Sequence, residues 1–410
     1  MSIKFVTIVP HIENLELRKD TGQIPYQFHK ILNGNSTLVS YYYSLNGGRK
    51  KGPLTKPPID DNVITQDYPH SKTEVSGLNL HFLENKGRGR FYEKAILDYI
   101  RLNAKQIDIL NLFHFSSENI FYTLFYKWKN PKGKVYLKLD IDISFYKNKK
   151  SFINIGQKVP VLGKVLAYII TRLFFKSVAL ITAESNVGLS YFKDRFNPPP
   201  QKLQLLPNGV DKERILKLVK KVRPFEEKEN IILTVGRIGN IQKNTLFLLN
   251  AITKIDLKDW KLYLVGPVEQ EFEPEIKTFF KKNPKLEDKV IFTGAITDPK
   301  DLYEYYNRAK VFCLPSICEG FPLAACEALF FGCYPLLSNK IYGCVDFCPS
   351  DSVDHLFGIE DTMLFCNLLS RIINEEKLIK DDYLKTIEHA DHNFIWQNNI
   401  QKLAILNEHI

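Results

Sequence analysis

The sequence predicts an α/β protein built from two Rossmann-like domains, and three observations carry that prediction. The chain has 410 residues, too many for one ordinary core. Its second half alternates short apolar strands with helical stretches, the pattern of a parallel sheet wrapped by helices. Between Val311 and Ser338 the run VFCLPSICEGFPLAACEALFFGCYPLLS reads as strand, helix, strand, with charged residues only in its loop and helix.

Composition narrows the class. Apolar residues make up 44% and charged residues 25% of the chain, as in soluble globular proteins. The opening residues Met1–Pro10 read as a strand, without the charged-then-apolar order of a signal peptide. No apolar run reaches the length of a spanning helix. All seven cysteines (313, 318, 326, 333, 344, 348 and 366) fall in the last third, and their odd number favours reduced thiols in a cytoplasm. Cys344 and Cys348 lack a second pair or a nearby histidine, so no zinc site is expected. Residues 1–200 hold 29 Lys and Arg against 16 Asp and Glu, whereas residues 201–410 hold 27 against 30. The basic first half implies an anionic partner. No nucleic-acid motif is present, so a membrane surface or a phosphate-bearing acceptor fits better than nucleic acid.

In chain order, Lys4–Val9 opens the first domain as a strand. Arg18–Pro25 reads as a loop containing Gly22, with a helix after it. Residues 44–69 are rich in Gly, Pro, Asn and Lys, and read as long loops. Leu78–Leu83 alternates like a strand, Phe91–Ala104 is helical, and Ile107–Phe113 is an apolar strand ending at His114. Ser117–Lys129 is a helix. Val135–Leu139 is a strand that delivers Asp140 and Asp142, a spacing that also suits a divalent cation. A basic loop, Phe145–Lys150, follows. Pro160–Lys176 is a largely apolar helix with Lys164, Tyr168, Arg172 and Lys176 four residues apart. It fits an interfacial membrane helix or, as favoured here, a core helix with one wet side, since the strand Val178–Thr182 follows at once.

Leu203–Pro207 ends the first domain, and Lys217–Lys228 is expected as a solvated connector. The second domain then reads as strand Ile231–Val235, helix Asn244–Ile255, strand Lys261–Val265, helix Glu273–Lys282, strand Val290–Phe292 and helix Pro299–Ala309 capped by Asp298. In the central run, Pro322 suits a first helical position because its missing N–H would be unbonded there. Glu319 precedes that helix and Glu327 lies within it. Open N–H groups near Leu323 and Ala324 make an anion site aided by the helix dipole. Asp361–Asn374 and Lys377–Ala390 read as helices, and a last helix runs from Phe394 to Ile410.

The text LPS-x3-EGFPLA-x2-EAL around Glu319 and Glu327 resembles the E-x7-E signature of retaining glycosyltransferases of family 4, which have the GT-B fold. Gly236-Arg237 with Lys243 six residues on resembles the pair that neutralises the donor diphosphate in that family. The resemblance covers nearly all of the second domain and the first only loosely. It implies two Rossmann-like domains facing each other across a cleft: residues 1–206 for the acceptor, 207–390 for the nucleotide sugar, and 391–410 as a helix returning to the first. It implies transfer of a sugar from a nucleotide diphosphate donor, most readily a UDP-sugar, to an acceptor hydroxyl with retained configuration. Glu319 would hold the donor sugar, Arg237, Lys243, Leu323 and Ala324 the diphosphate, Glu327 the ribose, and Ile296 the base. Gly22 would lie near the diphosphate and acceptor, and Asp140 would face the reacting sugar and acceptor. No metal and no cofactor are expected. The expected acceptor is a lipid-linked or anionic glycan in bacterial surface polysaccharide assembly, reached from the cytoplasm by peripheral contact with the inner face of the membrane. A non-catalytic GT-B subunit and a nucleotide-sugar epimerase are the alternatives.

Overall fold

The computed structural model describes residues 3–10, 12, 14–41, 75–89, 91–141, 160–349 and 355–403. The expected loops over 44–69, the basic loop Phe145–Lys150 and Asp142 lie outside those residues. The chain divides into two compact units, Met1–Pro207 with Asn399–Ile410, and Asn208–Asn398.

The first unit is a seven-stranded parallel sheet ordered β3-β2-β1-β4-β5-β6-β7. Its strands are β1 (Phe5–Ile8), β2 (Ser36–Tyr41), β3 (Asn79–Leu83), β4 (Ile109–Phe113), β5 (Lys134–Lys138), β6 (Leu180–Ala183) and β7 (Leu203–Leu205). The strands β1, β4 and β6 are buried throughout, in keeping with their mostly apolar text, and their polar residues Thr7, Asn111 and Thr182 find side-chain hydrogen bonds. Helices α1 (Asp20–Ile31), α2 (Lys94–Asn103), α3 (Ser117–Lys129), α4 (Pro160–Ser177) and α5 (Asn186–Phe196) connect them. Ser116 and Ser185 cap α3 and α5 by accepting the N–H groups of Asn119 and Gly188.

The second unit is a six-stranded parallel sheet ordered β10-β9-β8-β11-β12-β13. Its elements are α6 (Lys212–Val219), β8 (Glu229–Val235), α7 (Thr245–Ile252), β9 (Lys261–Val265), α8 (Glu273–Lys282), β10 (Val290–Gly294), α9 (Pro299–Arg308), β11 (Ala309–Leu314), α10 (Leu323–Phe330), β12 (Tyr334–Ser338), β13 (Leu356–Phe357), α11 (Thr362–Asn374) and α12 (Lys377–Asn393), and α13 (Trp396–Gln401) starts in this unit and ends in the first. The order reverses between β8 and β11, and in open α/β sheets ligands gather at the carboxyl ends beside such a reversal. Asp298 caps α9 by accepting the N–H of Lys300, as its sequence position suggests.

Three expectations change. The supposed connector Lys217–Lys228 is part of the fold. Its start completes α6, which buries Ile215 and Val219. Its end, Lys228, is buried and donates to the carbonyls of Tyr306, Asn307 and Ala309. A lysine there meets carbonyls that the end of α9 leaves open. The last described helix ends at Gln401, where Lys402 and Leu403 turn back to Asn399 and Ile400, while 404–410 lie outside the described residues. Helix α4 packs against α3, with Gly163 buried and Ala167, Ile170 and Thr171 half-buried on one side, but its wet side is wider than the basic-aromatic row. Val165, Leu166, Tyr168, Ile169 and Leu173 are all exposed on it, and only its C-terminal Phe174 and Phe175 join an aromatic cluster with Phe115, Phe192 and Phe196.

Candidate active site

The edge of the second sheet is shaped by glycines at the ends of β8, β9 and β10. Gly236 N–H donates to the Val265 carbonyl at 3.0 Å and Gly266 N–H to that of Gly294 at 3.1 Å. Gly266 has φ +141°, and a Cβ there would lie 1.9 Å from the Gly236 oxygen. No other residue fits that backbone-to-backbone contact, which starts the turn leading through Arg237 to Lys243. The Asn240 side chain then accepts the Gln242 N–H at 3.0 Å and fixes a short 3-10 turn, Ile241–Lys243.

That turn delivers two side chains to the loop after β11. Lys243 Nζ lies 2.5 Å from Glu319 Oε1, and Ser316 Oγ donates to the same oxygen at 2.8 Å. Gln242 Nε2 donates to Glu319 Oε2 at 3.3 Å and to the Cys318 carbonyl at 2.8 Å, while its own carbonyl accepts Ile317 N–H at 2.9 Å. Both oxygens of Glu319 therefore accept hydrogen bonds, from an ammonium, a hydroxyl and an amide. The Lys243 and Glu319 side chains keep 21% and 11% exposure, enough for a ligand to reach the pair.

Helix α10 follows. Pro322 is its N-cap rather than its first residue, and no side chain caps it. Leu323 and Ala324 are half-buried, and first-turn N–H groups have no intrahelical acceptor. With no acidic residue in that turn, the positive end of the helix is uncompensated from within. Glu327, one turn on, accepts Tyr306 OH at 2.8 Å. Burial first, then the charge and hydrogen bond of Glu327, push the Tyr306 phenol well above its ordinary range, so it serves as a donor. Gly332 (φ +72°) stops the chain just past the helix. Arg237 is exposed and 3.9 Å from Glu269, so it does not share the Lys243–Glu319 pair. Ile296 is half-buried against the core of the same unit.

Asp140 and Gly22 belong to the first unit. Gly22 does not sit in a loop. The strand is followed by a 3-10 turn, Asn14–Arg18, and α1 begins at Asp20. Gly22 is buried in the first helical turn, its N–H donates to the Lys19 carbonyl, and a Cβ would lie 2.4 Å from Leu17 Cα. It lets turn and helix pack, and offers no free amide to a diphosphate.

Asp140, exposed just past β5, borders a charged group that sequence reasoning missed. Lys138 is fully buried, with its Nζ 3.2 Å from the Leu206 carbonyl. Buried Asp20 and Glu184 share its surroundings, and Glu184 is hydrogen-bonded to Asp140. Burial raises the Glu184 carboxyl well above the usual range, Asp140 adds to the shift, and Lys138 opposes it. Asp20 is raised for the same first reason, again opposed by Lys138. His114 also acts on Asp20. It has φ +67°, and its N–H donates to the Lys138 carbonyl at 2.8 Å. Left-handed backbone in a residue other than glycine is a strained feature that gathers at functional sites. The rule that strand ends carry ligands would have found Glu184, directly after β6, and Gln242 lies inside the Arg237–Lys243 span. No group of three or more His, Cys, Asp or Glu among the described residues could hold a metal ion.

Comparison with known proteins bears on the fold and on the second unit. Residues 217–381, less than half of the chain, match the family model described as Glycosyl transferases group 1. A Campylobacter jejuni protein named GalNAc-alpha-(1->4)-GalNAc-alpha-(1->3)-diNAcBac-PP-undecaprenol alpha-1,4-N-acetyl-D-galactosaminyltransferase is 31% identical over 160 residues, covering 38% of this chain and 42% of that protein. An Escherichia coli UDP-Gal:alpha-D-GlcNAc-diphosphoundecaprenol alpha-1,3-galactosyltransferase is 26% identical over 189 residues, covering 44% and 47%. The chain thus spans less than half the length of these curated relatives. Among solved structures, the Anabaena protein Alr3699/HepE in complex with UDP superposes with TM-score 0.66 at 12% identity, over 100% of both chains. The apo lipopolysaccharide outer core galactosyltransferase WaaB superposes with TM-score 0.64 at 16% identity, over 99% of this chain and 100% of that one. The chain has the GT-B fold, and residues 217–381 of its second unit carry a glycosyl transferases group 1 domain.

Proposed function

We propose that this protein is a retaining, metal-independent hexosyltransferase that moves a sugar from a UDP-sugar to an acceptor hydroxyl on a lipid-linked glycan, in bacterial surface polysaccharide assembly. The observation that carries the reading is the grip of Lys243, Ser316 and Gln242 on Glu319, one loop before an uncapped helix start whose next turn bears Glu327. Glu319 orients hydroxyls of the donor sugar, and Glu327 holds the ribose. Lys243, Arg237 and the first-turn amides of Leu323 and Ala324 stabilise charge on the departing diphosphate. Ile296 lies against the base. Asp140 serves the acceptor side, and Gly22 takes no part. The acceptor hydroxyl attacks the anomeric carbon of the donor sugar on the face that the diphosphate leaves, and a leaving-group oxygen helps to take the hydroxyl proton. The names of the relatives support the acceptor class, since two contain PP-undecaprenol or diphosphoundecaprenol. The donor class has similar support, since one of those names contains UDP-Gal and the Anabaena structure is a complex with UDP. A lipid-linked acceptor also places the enzyme against the inner face of the membrane that holds it.

A panel of nucleotide sugars, scored by binding and by slow donor hydrolysis, tests this reading. One UDP-sugar should bind and hydrolyse above the rest, and should transfer in excess EDTA. Binding of none would remove the reading. Depletion of a nucleotide sugar without any acceptor, with an epimer as product, would replace it with an epimerase.

A further inference from the structure

The outer face of α4 carries two parallel rows. Val165, Leu166, Ile169 and Leu173 form an apolar row at helical spacing, 50%, 44%, 47% and 50% exposed. Beside it run Lys164, Tyr168, Arg172 and Lys176, the basic-aromatic row. The guanidinium of Arg172 lies 5.3 Å from the centre of the Tyr168 ring and donates to the Asn197 carbonyl at 2.8 Å, so this part of the row is held in place. Lys202 caps the carboxyl end of the helix through the carbonyls of Phe175, Lys176 and Val178. Phe174 and Phe175 anchor that end in the aromatic cluster around Phe115. The helix is therefore held along its inner face, which packs against α3, and at its carboxyl end, with apolar side chains left facing outward along it. Singly exposed apolar residues are ordinary, but a contiguous row rimmed by cations marks an interaction surface.

Charge selects the occupant. From Ile143 to Ala183 the sequence contains no Asp or Glu and seven Lys and Arg. A second copy of this chain would set that charge against itself, whereas an anionic bilayer complements it. No described helix is long and apolar enough to cross a membrane, so α4 would lie along the surface. We propose that α4 is the element that seats the protein on an anionic lipid surface, with the Val165/Leu166/Ile169/Leu173 row inserted among acyl chains and Lys164, Arg172 and Lys176 at the headgroups. This rests on the proposed lipid-linked acceptor for its purpose, but docking is measured without any sugar.

The experiment is flotation of the full chain with vesicles of phosphatidylcholine alone or with phosphatidylglycerol, across a salt series. Alongside wild type run Ile169→Asp/Leu173→Asp for the apolar row and Lys164→Glu/Lys176→Glu for the basic row. Circular dichroism melts check that each variant stays folded, as expected for exposed side chains. A Leu173→Cys variant carrying an environment-sensitive dye reports insertion directly. Wild type should float with anionic vesicles and keep a salt-resistant fraction. The apolar variant should lose roughly tenfold in partitioning at every salt, and the basic variant should lose a similar factor at low salt only. The dye should shift to the blue on anionic vesicles. Equal flotation of all three proteins, or no dye shift, would overturn the proposal. So would light scattering that shows a wild-type dimer broken by Ile169→Asp/Leu173→Asp, since the face would then be an interface between copies. Nucleotide-sugar binding by the same variants separates the two readings. Lost docking with intact donor binding removes only the role of α4, and docking without any donor binding removes only the glycosyltransferase.

Discussion

Each unit places a polar centre at the carboxyl ends of parallel strands, and the two are built on different physics. In the second unit, charges sit on loops and a helix start, partly open to water, and each carboxylate has its own donors: Lys243, Ser316 and Gln242 on Glu319, and the buried Tyr306 on Glu327. In the first unit they sit on strand ends and a first helical turn, largely buried, around the fully buried Lys138. The open centre is suited to receive a charged ligand, because its ions lose little when a diphosphate joins them. The buried centre is a set of mutually dependent charges, in which removing one strands the rest. Asp140 is the exposed member of that set, so it is where the buried charges meet solvent.

The contrast predicts different outcomes for two lysines. Lys138→Met should cost about 3–5 kcal/mol of stability in urea unfolding, as expected for breaking a buried charge group. Lys243→Met should cost less, about 1–3 kcal/mol, because Glu319 keeps Ser316 and Gln242 as donors and some access to water. A stable Lys138→Met protein would show that the first centre is not held together by charge. Activity should behave in reverse. Lys243→Ala and Glu319→Ala should each lower kcat by about 10²–10³-fold while the fold survives, by analogy with loss of one transition-state donor. Wild-type kcat in Lys243→Ala would move the diphosphate elsewhere, and wild-type kcat in Glu319→Ala would remove its hold on the donor sugar.

Smaller effects refine the second centre. Gly266→Ala forces a Cβ against the Gly236 carbonyl and should destabilise by about 1–3 kcal/mol while weakening donor binding, because the Arg237–Lys243 turn starts there. Unchanged donor affinity in that variant would separate the turn from the site. Glu327→Gln should raise the donor Kd by about tenfold, the scale of a hydrogen bond to a charged group, with little change in kcat. An unchanged Kd would remove the ribose role.

The smallest effect is on pH dependence. Glu184 and Asp20 have carboxyl pKa values raised in the folded chain, so between the ordinary carboxylate range and the raised values the folded state keeps protons that the unfolded state has released. Their contribution to stability is full below the ordinary range and is lost as pH rises through the folded values. Glu229 in the second unit has the opposite sign. Its pairing with Arg308 depresses its pKa, so that stability is present above the ordinary value and lost as pH falls through the depressed one. Glu184→Gln should flatten the loss on the alkaline side and leave the acid side unchanged. An unchanged alkaline slope would mean that Glu184 is not protonated in the folded chain.

The same contrast explains what the sequence makes legible. The second unit is the more legible of the two, because its charged groups lie in loops with fixed spacing next to helix and strand signals. Its strand–helix alternation, the cap at Asp298 and the Glu319–Glu327 helix all follow from local rules. Gln242 and Ser316 escape notice because a glutamine and a serine in loops look ordinary until the fold aims both at one carboxylate. The first centre is opaque for a stronger reason. Asp20, Lys138 and Glu184 are separated by 40 residues or more along the chain, and only the strand order β1-β4-β5-β6 gathers them. Gly22 misleads because a glycine after a first strand suits either a loop or a tight helix contact, and the nearby Leu17 backbone decides between them. Helix α4 misleads because an apolar run before a strand gives the same periodicity whether its outer face meets a core or a lipid surface.

The central claim is that the second unit holds a nucleotide-sugar donor for transfer with retention. Its most direct test is the anomeric configuration of the transferred sugar, determined by NMR on product made in excess EDTA from the best donor and a lipid-linked acceptor. The account predicts product in EDTA whose anomeric centre keeps the configuration of the donor. An inverted centre, or product that appears only when Mg2+ or Mn2+ is restored, would contradict it.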